Sequence, residues 1–150
     1  MADGAKGAGG AERAPVMGPE TCLAYLERVF PAVEGRFEIL EIASMRAVVR
    51  RRTKDVDIRP GGTVSGPAMF EAADCGFYAA LLAMIGEKAL AVTTNATINF
   101  LNKPAPADLI CEARILKLGK LLATGDATIR SDGEARPVAH ATLTYAIPPK

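Results

Sequence analysis

The sequence has few of the residues that build metal centres and disulfide frameworks. It contains no tryptophan, one histidine (His140) and three cysteines, Cys22, Cys75 and Cys111. The cysteines lie far apart and none belongs to a CxxC pair, so they and the single histidine offer no ligand cluster, and we expect no metal site. An odd number of unpaired cysteines also argues against disulfides and predicts a cytoplasmic location.

An excess of charge of either sign is also missing. The chain has 18 basic and 17 acidic residues and a net charge of +1, so we expect neither a nucleic-acid partner nor a membrane surface. Residues 50–52 and Lys54 form a short basic run. Alternate residues of a strand face opposite ways, so this run predicts a solvated strand end rather than a binding patch.

The length of 150 residues predicts one domain. Residues 1–18 are rich in small residues and contain no apolar h-region, which predicts a flexible segment rather than a secretory signal. Residues 19–150 then form a single domain. The one apolar run of membrane-spanning length, residues 65–85, contains two acids and Gly76, which favours a buried helix of a soluble protein.

Hydrophobic periodicity predicts an α+β fold. Residues 19–30 have the pattern of a short amphipathic helix, residues 36–53 that of two strands, and residues 55–64 that of a turn-rich loop. Ser65 is a good N-cap for the long apolar helix that follows, and Gly86 ends that helix. Because this helix is apolar on every side, the rest of the protein is expected to wrap around it.

Four strand-like runs follow the long helix, at residues 91–101, 108–118, 121–130 and 137–147. Alternation in the first run predicts two faces, with Val92, Thr94, Ala96, Ile98 and Phe100 on one and Thr93, Asn95, Thr97 and Asn99 on the other. Gly119 and Lys120 predict a two-residue hairpin turn. Short turns between these four strands predict antiparallel pairing, and the sum is a sheet of about six strands that wraps the helix.

Asp74 is the most informative polar residue, because it lies within the apolar helix. A lone carboxylate there is costly to bury unless it is paired, hydrogen-bonded or functional, and a general base is one such function. The alternative is that Asp74 lies on an exposed stripe with Glu71, since residues i and i+3 share a helix face.

The glycine-rich stretch GGTVSGP, residues 61–67, precedes the same helix. Backbone N–H groups at a helix start can hold an anion or an oxyanion, although a turn and a cap are the simpler interpretation. The stretch is not a P-loop, because Pro67 stands where lysine is required. It is not a G-x-S-x-G elbow either, because Gly66 follows Ser65 directly. We therefore do not expect Ser65, Asp74 and His140 to form a hydrolase triad.

Three stretches of the chain resemble the hotdog-fold acyl-CoA thioesterases of the phenylacetyl-CoA thioesterase (PaaI) type. They are SGPAMFEAADCGFYAALL, TTNATINFLNKPAPADLICEARILKLGK and PVAHATLTYAIP, and the resemblance spans residues 36–148. It implies a hotdog fold, in which a curved antiparallel sheet wraps one long helix. It also implies two protomers joined edge to edge, often paired again into a tetramer, with active sites at the dimer interface.

The resemblance implies roles for four residues around the helix start. The usual family motif is His-Gly-Gly, followed by an acid nine residues after the histidine. Asp74 matches that acid, Ser65 takes the histidine position, Gly66 matches the first glycine and Pro67 replaces the second. Asp74 would act as a general base on water or as a nucleophile, and the Gly66 N–H would hold the carbonyl oxygen.

Five further residues are candidates by the same resemblance. Some members bring a Ser or Thr from the neighbouring protomer near the attacking water, and that position falls on Thr93, with Asn95 close by as a substrate-binding candidate. Lys117 and Lys120 stand where members often bind CoA phosphates. Arg59 occupies a position six residues before the motif where some relatives carry Asn.

The resemblance implies a thioesterase that hydrolyses an acyl-CoA to a free acid and CoA, with no cofactor beyond the substrate. Ser65 and Pro67 depart from the motif, which leaves open a protein of the same fold that binds an acyl ligand without cleaving it. A purely structural dimerising module is the third hypothesis, since a fold alone does not fix function.

Overall fold

The structure is a computed structural model that describes residues 13–149. Within these residues, two α-helices and six strands form the domain. The helices are α1 (Pro19–Val29) and α2 (Gly66–Ile85), and the strands are β1 (Phe37–Ala43), β2 (Arg46–Arg51), β3 (Val92–Phe100), β4 (Leu109–Leu118), β5 (Leu122–Ser131) and β6 (Pro137–Ala146). The elements therefore confirm the predicted α+β class.

The six strands form one antiparallel sheet in the order β1-β2-β4-β5-β6-β3. Helix α2 packs against this sheet, and the buried faces of β4 and β6 alternate as predicted. This is the hotdog arrangement. One part of the expected connectivity is wrong: β3 pairs with β6, and residues 101–108 carry the chain across to β4 instead of forming a short turn. As a result β3 lies at a free edge of the sheet.

Local signals at both ends set the limits of α2. The Ser65 hydroxyl accepts a hydrogen bond from the Ala68 N–H at 3.3 Å, and Pro67 occupies the first turn, where no N–H is needed. Gly86 ends the helix with a φ of 85°, which favours glycine. The helix is long and apolar enough to cross a membrane, but 78% of that stretch is buried inside this fold.

Two glycines allow α2 and the sheet to approach each other closely. A Cβ on Gly76 would lie 2.7 Å from the Cys111 sulfur of β4. A Cβ on Gly125 of β5 would collide with the Arg114 carbonyl oxygen and lie 2.6 Å from the Phe77 ring. The helix is therefore seated at a depth that larger side chains at these positions would prevent.

Two smaller predictions need correction. Residues 13–18 belong to the segment predicted to be flexible, yet the N–H groups of Val16 and Met17 both donate to the Ala83 carbonyl, and Met17 is buried. Residues 1–12 of that segment lie outside the described residues. The hairpin turn between β4 and β5 has three residues rather than two, because Leu121 lies outside β5.

The basic run beside β2 was expected to be a solvated strand end, and this expectation is wrong for Arg51. Its side chain is 2% exposed and lies against Asp57 and Glu71. Arg50 also has partners, since its guanidinium contacts Asp132 at 2.5 Å. Arg50 and Arg51 therefore belong to ion pairs that tie β2 to its neighbours.

Candidate active site

Asp74 lies half-buried on the side of α2 that faces β3 and β6, and two hydroxyl groups hold its carboxylate. Thr93 Oγ1 donates to Asp74 Oδ1 at 2.6 Å, and the Tyr145 hydroxyl donates to the same oxygen at 2.6 Å. The Tyr145 hydroxyl also lies 3.0 Å from the Asp74 carbonyl oxygen. Both carboxylate contacts fall in the short range expected of a hydroxyl that donates to an ionised carboxylate.

A bulge in β3 brings Thr93 to this position. Thr93 pairs with Tyr145 and Asn95 pairs with Thr144, so Thr94 is an extra residue without a partner in the ladder. Thr93 therefore shares the inner face with Ala96 and Ile98, and the predicted assignment of Thr93 to the opposite face is wrong. The contact also lies within one chain, whereas the resemblance implied a hydroxyl from the neighbouring protomer.

Tyr145 was not among the predicted site residues, because its alternation in β6 indicated only a core position. It is indeed 4% exposed, with its ring centroid 5.3 Å from that of Phe77 and 5.9 Å from that of Tyr78. Burial, and then the charge of Asp74, raise the pKa of Tyr145 far above its usual value. The phenol therefore stays protonated and remains a donor to the carboxylate. No pattern within β6 reveals this role, because Tyr145 stands opposite Thr93 only once β3 has paired with β6.

A cavity of about 280 Å³ opens beside Asp74. Its lining comes from the end of α1, the middle of α2, the chain before β3 and the strands β3 and β6, and consists of Val29, Phe30, Asp74, Cys75, Tyr78, Ala89, Ala91, Val92, Thr93 and Tyr145. Most of these side chains are apolar or aromatic. The carboxylate is thus set into the wall of a pocket that suits an apolar group.

Cys75 lies in the same wall but is not a nucleophile. Burial, and then the neighbouring charge of Asp74, raise the pKa of the Cys75 thiol to about 12. The thiolate is the reactive form of cysteine, so this thiol is inert near neutral pH. Asp74 is the one carboxylate among the residues that line this cavity.

Glu71 does not form an exposed stripe with Asp74. Its carboxylate accepts hydrogen bonds from Arg36 at 3.2 Å and from Arg51 at 3.3 Å. These bonds tie the first turns of α2 to β2 and to the residue before β1. Glu71 is therefore bound to two arginines, whereas Asp74 is bound to two hydroxyl groups. This excludes the alternative in which both acids lie on one exposed stripe of the helix.

The start of α2 borders a second and larger cavity of about 700 Å³. Its lining includes Ser65, Gly66, Pro67 and Arg59, together with Phe100 at the end of β3. Among residues 13–149, none accepts a hydrogen bond from the Gly66 N–H. Gly66 and Asp74 are eight residues apart on one helix, about 12 Å along its axis, so a single chain does not bring them together.

The remaining candidates lie apart from Asp74. Asn95 is exposed on the outer face of the sheet and Lys117 is exposed on β4. Lys120 lines a third cavity of about 670 Å³ together with Arg13 and Lys88. His140 contacts Asp126 at 2.9 Å, so the Ser-Asp-His triad is absent, as expected.

The described residues 13–149 contain no group of three or more His, Cys, Asp or Glu side chains that could hold a metal ion.

Comparison with known proteins identifies the class. The family model for the thioesterase superfamily matches residues 61–138, more than half of the chain. A predicted thioesterase from Silicibacter sp. TM1040 has 46% sequence identity over 93% of this chain and 97% of its own, with a TM-score of 0.86. The chain therefore belongs to the thioesterase superfamily and is a thioester hydrolase.

More distant solved structures share the fold. Zebra fish thioesterase superfamily member 2 has 18% identity over 88% of this chain and 99% of its own, with a TM-score of 0.75. The E. coli PaaI protein has 18% identity over 87% of this chain and 95% of its own, with a TM-score of 0.71. Among curated proteins, none matches the chain.

Proposed function

We propose that the protein hydrolyses acyl-CoA thioesters and that Asp74 is the catalytic carboxylate. One observation carries the proposal. The carboxylate lies in the wall of an apolar cavity, and the hydroxyls of Thr93 and Tyr145 both donate hydrogen bonds to one carboxylate oxygen, Oδ1. The other carboxylate oxygen, Oδ2, accepts neither of these hydrogen bonds and is available to act on a substrate. An acyl group in the cavity would bring its thioester carbonyl close to that oxygen.

Two chemical roles fit this geometry. As a general base, Asp74 takes a proton from water while the water oxygen attacks the carbonyl carbon. As a nucleophile, it attacks the carbon itself and forms an anhydride that water then hydrolyses. In both routes the C–S bond breaks, the sulfur leaves as the CoA thiolate and takes up a proton, and the acyl group leaves as the free acid.

The oxyanion donor would come from a second copy of the chain. The cavity beside Asp74 lies at the first residues of β3, and the cavity beside Gly66 lies at its last residue, Phe100. β3 is a free edge, and antiparallel pairing of two β3 strands about a two-fold axis sets the beginning of each against the end of the other. Such a dimer would place the Gly66 N–H of one copy near the Asp74 of the other.

The same dimer suggests a path for CoA. Arg59 and Lys103 line the cavity that contains Gly66, and both carry a positive charge suited to phosphate. Lys117 and Lys120 remain candidates for the outer phosphates. Ser65 caps α2 and so fixes the position of the helix start. Pro67 has no N–H, so the hydrogen-bond donor to the thioester carbonyl oxygen would be the Gly66 N–H.

The cavity volume limits the acyl group. At about 30 Å³ for each water-sized unit, 280 Å³ holds about nine non-hydrogen atoms. We therefore propose compact aromatic or medium-chain acyl groups as substrates. The three cysteines are free and buried, which supports a reducing compartment such as the cytoplasm.

The test is release of free CoA from short, medium, long and aromatic acyl-CoAs, followed with a thiol reagent. Wild type is expected to turn over the compact groups best, and Asp74→Asn is expected to lose most of that rate. Equal rates in the two proteins would remove Asp74 from the chemistry.

Mixing variants tests the shared site. Gly66→Pro removes the N–H at a position where proline suits a helix, and Asp74→Asn removes the carboxylate. In a dimer that contains one chain of each kind, one site carries both defects and the other carries neither. Random mixing is therefore expected to restore about one quarter of the wild-type activity. Asp74→Asn mixed with Thr93→Val, which damages the same half-site, is the control and is expected to restore none.

A further inference from the structure

We propose that Tyr145 is a positioning residue for the reaction: its hydroxyl, together with that of Thr93, holds Asp74 Oδ1 so that Oδ2 alone faces the bound thioester. The proposal rests on the acyl-CoA hydrolysis proposed above. It assigns a role to a tyrosine whose place in the sequence indicates only packing. Three observations carry it, namely the direction of the two hydrogen bonds, the rigidity of the phenol and the origin of the two donors.

Both donors act on one oxygen. Thr93 Oγ1 and the Tyr145 hydroxyl each lie 2.6 Å from Asp74 Oδ1. A partial rotation of the carboxylate about its Cβ–Cγ bond would weaken both bonds at once. The side chain is thus held in one orientation before substrate arrives. A reactive group that is already oriented lowers the barrier to the reaction, because no freedom is lost when the substrate reacts.

The phenol of Tyr145 is held rigidly. Its ring packs between Phe77 and Tyr78, one helical turn beyond Asp74, with centroid separations of 5.3 Å and 5.9 Å. Its hydroxyl also lies 3.0 Å from the Asp74 carbonyl oxygen, so it contacts both the backbone and the side chain of the same residue. Because the ring cannot tilt without disturbing α2, the donor position is fixed by the core.

The two donors come from neighbouring strands at a distorted point of the sheet. Thr93 and Tyr145 face each other across the β3–β6 pair, and the bulge at Thr94 turns Thr93 toward the helix. Without the bulge, Thr93 would point to the outer face and Tyr145 would be the only donor. Bulges often redirect a side chain beside an active site. Here the bulge allows Thr93 to donate the second of the two hydrogen bonds to the Asp74 carboxylate.

The experiment compares kcat and KM for four single variants on the best acyl-CoA of the panel. Tyr145→Phe and Thr93→Val each remove a hydroxyl and keep the shape of the side chain. Each is expected to lower kcat about 10- to 100-fold, the usual effect of losing a hydrogen bond to a charged group, with KM within about twofold. Thr93→Ser keeps the donor and is expected to retain kcat within about threefold.

Tyr25→Phe is the matched control. Tyr25 is also a buried tyrosine whose hydroxyl makes a hydrogen bond, in this case as acceptor from the Ala89 N–H at 3.0 Å, and it does not touch Asp74. Its variant is expected to keep kcat within about twofold of wild type. This comparison separates the loss of a buried phenol hydroxyl in general from the loss of the hydroxyl at the carboxylate.

The outcomes distinguish this proposal from the one on which it rests. If Asp74→Asn loses activity while Tyr145→Phe keeps kcat within about twofold of wild type, the positioning role is overturned and the catalytic role of Asp74 stands. If Asp74→Asn keeps its rate, the proposed function itself fails.

A proton NMR measurement gives a second readout without turnover. A short bond from a hydroxyl to a carboxylate is expected to give a downfield hydroxyl resonance that disappears in Tyr145→Phe and changes in Asp74→Asn. Its absence from wild type at low temperature would overturn the proposal.

Discussion

Arg51 and Asp57 form a buried, two-pronged ion pair at the end of β2. Arg51 Nη1 donates to Asp57 Oδ2 at 3.0 Å and Nη2 donates to Oδ1 at 3.1 Å, while Nε reaches Glu71 of α2 at 3.3 Å. The Asp57 carbonyl in turn accepts the Ser65 N–H at 2.8 Å. One guanidinium thus joins β2, the loop before α2 and the helix that carries Asp74.

Removing Arg51 is expected to destabilise the fold strongly. Arg51→Met would leave the buried Asp57 carboxylate without its main partner, a change that costs about 3 kcal/mol or more in the free energy of unfolding. Arg52→Met is the control, since Arg52 is the next residue, is 52% exposed and contacts Glu38 only at 3.8 Å. It is expected to change stability by less than about 0.5 kcal/mol. Urea unfolding measures both, and similar losses would contradict the assignment.

The same ion pair predicts an acid-sensitive stability. The hydrogen bonds from Arg51 are the main reason that the pKa of Asp57 lies below its ordinary value of 3.8. A carboxyl whose pKa is lowered by folding stabilises the protein above that ordinary value, and this stabilisation is lost as pH falls through the lower, folded value. Asp57→Asn is expected to be less stable at pH 7 but to lose less stability between pH 5 and pH 2. Parallel pH profiles would show that the pair does not govern acid unfolding.

The contact between α2 and the sheet depends on a glycine in β5. Gly125→Ala would force a Cβ into the Arg114 carbonyl oxygen, which is backbone and cannot move aside cheaply. The expected loss is about 3 kcal/mol or more. Gly18→Ala is the matched control, because a Cβ there meets nothing within 4 Å and its φ is negative. Thermal unfolding measures the stability of both variants. A Gly125→Ala protein as stable as wild type would show that the backbone of β4 and β5 can move apart to accept the Cβ.

Burial of Tyr145 predicts a loss of stability at alkaline pH. Its folded pKa is raised above the ordinary value of 10.0 by burial and by Asp74. Such a group stabilises the fold below its ordinary pKa, and this stabilisation is lost as pH rises above it, because only the unfolded chain then releases the proton. Between pH 10 and pH 12, Tyr145→Phe is therefore expected to lose about 1.4 kcal/mol less per pH unit than wild type. Identical slopes in urea unfolding would mean that Tyr145 ionises in the fold.

Features that depend on local pattern were predictable from the sequence. The long helix follows from its unbroken apolar composition between Ser65 and Gly86, and both ends are confirmed. The alternation of β6 is also confirmed, since Ala139, Ala141, Leu143, Tyr145 and Ile147 are all buried. Asp74 was singled out because an acid in such a helix needs a partner or a task.

Features that depend on which strands meet were not predictable. The bulge at Thr94 exists only in the pairing of β3 with β6, so the sequence of β3 alone assigned Thr93 to the wrong face. The position of β3 at the sheet edge has the same cause. The sequence assigns Arg51 to a solvated basic run because its partners, Asp57 and Glu71, are brought to it by the loop and the helix rather than by spacing in the strand.

If the cavity beside Asp74 holds the acyl group, as proposed above, Phe30 is expected to limit the length of the acyl chain. Phe30 follows the last residue of α1, is 45% exposed and closes one side of the 280 Å³ cavity. Phe30→Ala would open that side with little effect on the core. The variant would then hydrolyse dodecanoyl-CoA better relative to compact aromatic acyl-CoAs. The ratio of kcat/KM for dodecanoyl-CoA to kcat/KM for the aromatic substrates is expected to rise about 10-fold. The control is Leu90→Ala, since Leu90 is 81% exposed and does not line the cavity. An unchanged ratio in Phe30→Ala would place the acyl chain elsewhere, because a group that contacts the chain must alter the selection by length.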